Sequence, residues 1–233
     1  MKSRIWTGTC PHQTPGLKAI LGGVSEKISV RTYGKREFFG FTETYVDSLA
    51  DLGIRSFGNG MERQEVVEHL FDNDILYVAE ARNKPIAFAG MVYQPKDKKV
   101  YLSAALVDPL YRGNNLYKDL TGLRIKKGMQ VTDIFYTRTQ NPIVEKTIRS
   151  VLDSMVENGG IESYQCSRQI KEGVFGRRLT DEIPLSGDKS IDCLYSILNY
   201  DRGDAFILEF KLRYSKEKES DKPAISPYGG RRI

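Results

Sequence analysis

The residues of this chain whose types and spacing point to chemistry are Arg112-Gly113-Asn114-Asn115-Leu116-Tyr117, and the chemistry is recognition of a pyrophosphate. They stand between an apolar run ending at Val107 and a helical pattern in which Leu116, Leu120 and Leu123 share a face. A helix start exposes backbone N–H groups with no intrahelical acceptor, and the aligned peptide dipoles make that end electropositive. Arg112 adds a forked cation, Gly113 lets backbone approach closely, and Asn114 and Asn115 belong to the non-glycine types that best tolerate positive φ. The sequence contains neither a GxxxxGK[ST] phosphate loop nor a GxGxxG after a strand, which argues against the common triphosphate and dinucleotide sites.

The elements that must hold this turn can be read from periodicity. Lys27 to Tyr33 alternates polar and apolar residues and predicts a first strand. Two helical stretches follow, one with Phe38, Phe41, Tyr45 and Leu49 on a face, the other with Val66, Val67, Leu70 and Phe71; the glycines between 53 and 60 are expected to separate them. Three apolar runs, 75–80, 86–93 and 100–107, are joined by short turns and predict an antiparallel meander. Beyond Asp108-Pro109 the period changes from two to nearly four, so a strand runs into a helix. Strands are expected at 134–137, 162–170 and 205–210. Pro142 should open a helix that ends at Asn158-Gly159-Gly160, and 175–192 reads as an excursion between the last two strands.

With that order in place, Val107-Asp108-Pro109-Leu110-Tyr111-Arg112-Gly113-Asn114-Asn115-Leu116-Tyr117 resembles the pyrophosphate motif of the GNAT acyltransferase superfamily, R/Q-x-x-G-x-G/A preceded by V-x-P. Arg112 matches the first position, Asn115 stands at the usual first glycine and Tyr117 at the usual second small residue. The resemblance covers roughly residues 28 to 212. It implies an α/β fold with a mixed, mostly antiparallel central sheet flanked by helices, and binding of acetyl-CoA or another acyl-CoA. The backbone at Leu106 and Val107 would bond the pantetheine arm. Arg112, Gly113, Asn114, Asn115, Leu116 and Tyr117 would hold the pyrophosphate, and Asn141 would contact the cofactor from the start of the next helix.

The implied reaction is direct attack of an amine on the thioester carbonyl. In many members a tyrosine seven residues after that asparagine protonates the leaving thiolate; here the position is Ile148. Tyr136 and Glu80 are the candidate acid and base, chosen for their place on central strands, with Glu43 and Tyr101 as further options. Each also has a structural reading, as strand packing or a solvated strand end. A non-catalytic acyl-CoA-binding regulator and a nucleic-acid-binding or base-modifying protein are the competing classes.

Composition bounds the remainder. The chain has 233 residues and a net charge of +5, with seven Lys/Arg against three acids over 211–233, so the preceding residues are near neutral. One domain is expected over 25–212, after an irregular arm at 1–24 and before a flexible basic tail at 213–233. Cys10, Cys166 and Cys193 lack metal-site or disulfide spacing, and no metal is expected. No apolar run approaches the roughly 20 residues that span a bilayer, and no secretory segment follows Met1. A cytoplasmic protein without a membrane partner is therefore expected. A small molecule, a protein and a nucleic acid are all open as acceptor on this reading, as is a homodimer.

Overall fold

The computed structural model of the protein describes residues 13–21, 24–58 and 61–214. The strands are β1 (Gln13–Leu21), β2 (Val24–Gly34), β3 (Ile75–Ala81), β4 (Lys84–Gln94), β5 (Lys99–Val107), β6 (Ile134–Thr139), β7 (Ser163–Lys171) and β8 (Ala205–Arg213). The helices are α1 (Lys35–Phe38), α2 (Glu43–Phe57), α3 (Arg63–Phe71), α4 (Leu116–Gly128), α5 (Pro142–Glu157) and α6 (Lys189–Tyr195), with a 3-10 turn at Pro109–Tyr111. All eight strands join one sheet in the order β1-β2-β3-β4-β5-β6-β8-β7. Every neighbouring pair is antiparallel except β5 and β6, which are parallel.

Side-chain alternation sends each strand's apolar residues to two cores. On β3, Tyr77, Ala79 and Ala81 face the layer of α4, α5 and α6, while Leu76 and Val78 face α2 and α3. The first core continues under β6, β7 and β8. The second draws on β2 to β5 only, so on that side no hydrophobic cluster among the described residues reaches β6, β7 or β8.

Two irregularities in β5 shape the centre. Its pairing with β4 steps from Leu102 opposite Met91 to Ala105 opposite Ala89, so Ser103 and Ala104 together oppose the single residue Gly90. Its pairing with β6 is limited to Val100 with Phe135 and Tyr101 with Tyr136, followed by a last tie in which Thr137 Oγ1 donates to the Leu102 carbonyl at 2.9 Å. Beyond that point the strands part. The bulge is held from both sides. Buried Asn73 accepts from Ser103 Oγ at 2.6 Å and donates to the His69 and Leu70 carbonyls, while Arg124 donates to the Gly90 and Ser103 carbonyls at 3.3 and 3.1 Å. Gly90 is required here by space, since a Cβ would lie 2.0 Å from Asn73 Oδ1.

The segment between β7 and α6 crosses from the β8 side of the sheet to the α2–α3 side. At its base the Asp204 carboxylate accepts from Gly173 N and Asn199 N and pairs with Arg202 at 2.6 Å. Midway, Gln140 receives Leu179 N at 3.1 Å and donates to the Arg177 carbonyl at 3.2 Å. At its far end Arg177 ion-pairs with Glu65 of α3, and Asp181 lies against Gly58 at the end of α2.

The sequence expectations hold for the meander, the strand-to-helix step and α5, and differ in three places. Gln13–Leu21, read as irregular, forms β1; the register shift between Thr14 and Leu17, at Pro15-Gly16, breaks the alternation that would have revealed it. Gly53 lies inside α2 and does not end it. A Cβ there would come within 2.6 Å of Val66, so the glycine lets α2 and α3 approach. The excursion contains α6, whose Ile191 and Tyr195 join the core. Cys166 and Cys193 are free thiols, and Cys10 and the basic run from 215 onward lie outside the described residues.

Two measurements check this frame. Gly90→Ala should cost about 1–3 kcal/mol in urea denaturation through overpacking. Asn73→Ala should cost a similar amount by orphaning buried groups, and the double variant should cost less than the sum because losing Asn73 makes room for the methyl. Additive costs would contradict the contact. Arg202, together with backbone N–H donors, holds the Asp204 carboxyl down to about 2. A depressed carboxyl stabilises the fold above its unfolded value of about 4, and that contribution disappears as pH falls from about 4 to about 2. Asp204→Asn should therefore flatten the pH dependence of stability across that window; a slope unchanged from wild type would contradict the pairing.

Candidate functional site

Where β5 and β6 part, the strand ends, the starts of α4 and α5, the end of α2 and the crossing segment enclose a cleft of about 820 Å³. One wall is the β5 edge at Ala105, Leu106 and Val107, whose ladder bonds run to β4 on the other side. This edge therefore presents backbone donors and acceptors to the cleft. The opposite wall is Asn141, Ile143, Val144 and Thr147 of α5. Thr180 to Leu185 of the crossing segment complete the enclosure.

The turn from β5 to α4 is built by its own side chains. Asp108 accepts from Leu110 N at 3.0 Å, starting the 3-10 turn, and ion-pairs with Arg55 of α2 at 3.1 Å. Arg112 donates to the Ser56 carbonyl at 2.8 Å and to the Val107 carbonyl at 3.4 Å, which fixes the turn against the end of α2. Gly113 takes φ 81° with open space around it, so glycine is needed there for its backbone conformation. Asn115 takes φ 59° as the N-cap of α4 and makes no side-chain cap bond. The first-turn N–H groups of α4 are left facing the cleft. At the start of α5, Asn141 Oδ1 accepts from Ile143 N at 2.9 Å, so it caps that helix while lining the cleft. Two helix N-termini and the cations Arg55, Arg112 and Lys118 thus meet in one space.

Of the residues singled out in the sequence, Leu106, Val107, Arg112, Gly113, Asn115, Leu116, Tyr117 and Asn141 line this cleft together. Asn114 belongs to the turn but points its amide back to the Tyr111 carbonyl at 3.2 Å. Glu80 and Tyr136 are elsewhere. Glu80 is buried on the α2 side, where it accepts from Tyr45 Oη at 2.7 Å and pairs with Arg31 at 3.1 Å. Tyr136 stacks on Tyr101 with ring centroids 4.9 Å apart, on the face opposite α4 and α5, and Arg138 lies 5.0 Å from the Tyr101 ring. Burial raises the Tyr136 phenol above its ordinary value.

Sequence reasoning missed Arg124, which lies off the face shared by Leu116, Leu120 and Leu123. It is 1% exposed, donates to Thr121 Oγ1 at 3.1 Å as well as to the bulge carbonyls, and has no carboxylate partner among the described residues. The available signal was spacing. Tyr117, Thr121 and Arg124 stand at i, i+4 and i+7, a single helical stripe. Burial lowers the Arg124 guanidinium. Burial also raises the Tyr117 phenol, against the opposing pull of Arg124.

No family model matches the chain, and no curated protein matches it in sequence. Solved structures do. Diaminobutyrate acetyltransferase from Paenibacillus lautus, solved with L-2,4-diaminobutyric acid and coenzyme A, is 12% identical over 82% of this chain and 98% of its own, with a TM-score of 0.50. The ribosomal-protein-S18-alanine N-acetyltransferase of Escherichia coli is 11% identical over 80% and 95%, at 0.49, and an aminoglycoside 6′-acetyltransferase type Ii is 14% identical over 78% and 96%, at 0.48. Identities this low speak to fold alone. The match to the diaminobutyrate enzyme, taken with the parting of β5 from β6 and the helix start at its mouth, shows that this chain has the GNAT acetyltransferase fold, in a divergent sequence.

Proposed function

We propose that the protein is an acyl-CoA-dependent N-acyltransferase, with acetyl-CoA as the expected donor and an amine as acceptor. The observation that carries this is the continuity of an open strand edge, Ala105 to Val107, with an anion-binding helix start, Asn115 to Lys118, in one cleft. An amide-bearing arm ending in a pyrophosphate needs those two features in that order. The residues fit the donor. Leu106 and Val107 supply backbone groups for the pantetheine amides, the α4 N–H groups with Gly113 and Arg112 cradle the pyrophosphate, and Asn141 adds a side-chain amide beside the arm.

The donor supplies an activated acyl group. The chain's own contribution is to align it along β5, exclude water with the crossing segment, and polarise the acyl carbonyl by backbone N–H groups near the Ser103–Ala104 bulge. The amine approaches from the side of the sheet on which the helices stop at β5, past Tyr101, Tyr136 and Arg138. A cytoplasmic site of action belongs to the same proposal and agrees with two free thiols. Among the described residues no helix is long and apolar enough to cross a membrane.

Titration calorimetry with acetyl-CoA and CoA tests the site. Arg112→Ala should weaken both ligands equally, by about 10- to 100-fold, as expected for loss of a charge-assisted hydrogen bond. Its melting temperature reports separately on the Ser56 contact. Unchanged affinity for both ligands would remove the pyrophosphate site from the turn.

A further inference from the structure

Ile148 is 1% exposed in the α4–α5 core, so the position expected to carry a proton donor holds an aliphatic side chain packed out of reach of solvent. Tyr136 points away from the cleft. Two phenols line it, Tyr111, whose hydroxyl donates to Glu26 at 3.0 Å, and Tyr117, on the first turn of α4. Seven residues on, Arg124 reaches back along the same stripe as far as Thr121, one turn beyond Tyr117. Four facts set this pair apart from ordinary packing. Arg124 is almost fully buried, it has no acid partner among the described residues, its bonds to Gly90 and Ser103 tie it to the bulge beside the open edge, and its Nε is a buried donor without an acceptor. Thr121, between the two on the same α4 stripe, accepts from Arg124 at 3.1 Å, and the Arg124 charge opposes the rise that burial imposes on the Tyr117 phenol. A buried cation with surplus donors beside a cleft phenol is an arrangement that stabilises negative charge on that oxygen.

We propose that Tyr117 is the general acid of the transfer and that Arg124 is its positioning residue. This rests on the acyl-CoA reading given above. The amine nitrogen forms its bond to the acyl carbon, and the carbon–sulfur bond then breaks with its electron pair going to sulfur. Tyr117 gives its hydroxyl proton to that sulfur, producing a free thiol. The phenolate left behind is held by Arg124 and regains a proton, through solvent, from the nitrogen that has become an amide. The cost of a phenolate in this half-buried place is what Arg124 offsets. Burial raises the phenol above its ordinary value, and the guanidinium opposes that rise.

Tyr117→Phe keeps the ring and its packing and removes only the hydroxyl. Calorimetry should show CoA binding within about threefold of wild type, while thiol release from acetyl-CoA, with water or a panel of primary amines as acceptor, should fall by about 100-fold. Tyrosine Cζ carbon NMR provides a readout independent of turnover. The resonance missing from Tyr117→Phe should shift when CoA is added, and in the ligand-free protein it should titrate at higher pH in Arg124→Met than in wild type. Wild-type protein that fails to bind CoA would overturn the acyl-CoA reading and this role with it. CoA binding with an unmoved Tyr117 resonance, or with thiol release within threefold in Tyr117→Phe, would overturn the acid role alone; CoA binding with no thiol release by wild type would overturn the transfer reading and the acid role together.

Discussion

The cleft exists because β5 cannot satisfy β4 and β6 along its whole length. Two residues of β5, Ser103 and Ala104, oppose Gly90 alone, and the bend this imposes carries the rest of the strand away from β6 after only two paired positions. An unpaired strand edge in the middle of a sheet is ordinarily unfavourable, since its backbone donors and acceptors have lost water without gaining partners. Here side chains hold the irregular part. Asn73 and Ser103 hold it on one side and Arg124 on the other, with Gly90 leaving room for Asn73. What stays without a strand partner on the β6 side is the length from Ala105 to Val107, its last carbonyl met by Arg112 and Ser56, and it faces a space large enough for a ligand.

The same constraint fixes the direction of the next element. Once β5 has turned away from β6, Asp108 and Arg55 anchor its end to α2, and the chain enters α4 through two consecutive demands for unusual backbone, at Gly113 and Asn115. Asn115 replaces the glycine common at its position in the resembling family without altering the conformation, because asparagine is tolerant of the left-handed region. Tyr117 departs further, and its side chain has a place to go: along the α4 stripe that leads to Arg124. The two departures in the motif therefore differ physically, the first preserving a backbone shape and the second adding a functional group.

These distinctions explain what was legible in the sequence. Periodicity revealed α4 and α5 because the apolar residues of each face one layer, and the meander showed as near-continuous apolar runs between turns because its strands are covered on both faces. The turn at Arg112 was readable because glycine, asparagine and arginine have local meanings. Glu80 and Tyr136 were drawn from central strands by position alone, and the face a strand residue presents depends on register, which a bulge resets. Arg124 was hidden for a related reason. A charged residue in an amphipathic helix is ordinarily solvated, and its burial depends on carbonyls of β4 and β5 exposed by a bulge that no short-range pattern announces. The crossing segment was equally opaque, since Gln140, Glu65 and Asp204 hold it through contacts distant in sequence.

The proposed function requires an acyl-CoA to lie along the open β5 edge with its pyrophosphate at the start of α4. Amide hydrogen exchange with and without acetyl-CoA measures this residue by residue. Slowed exchange confined to 103–107 and 113–118, with β2, β3 and the outer strands unchanged, is the predicted result. Protection elsewhere, or none at saturating acetyl-CoA, would contradict it.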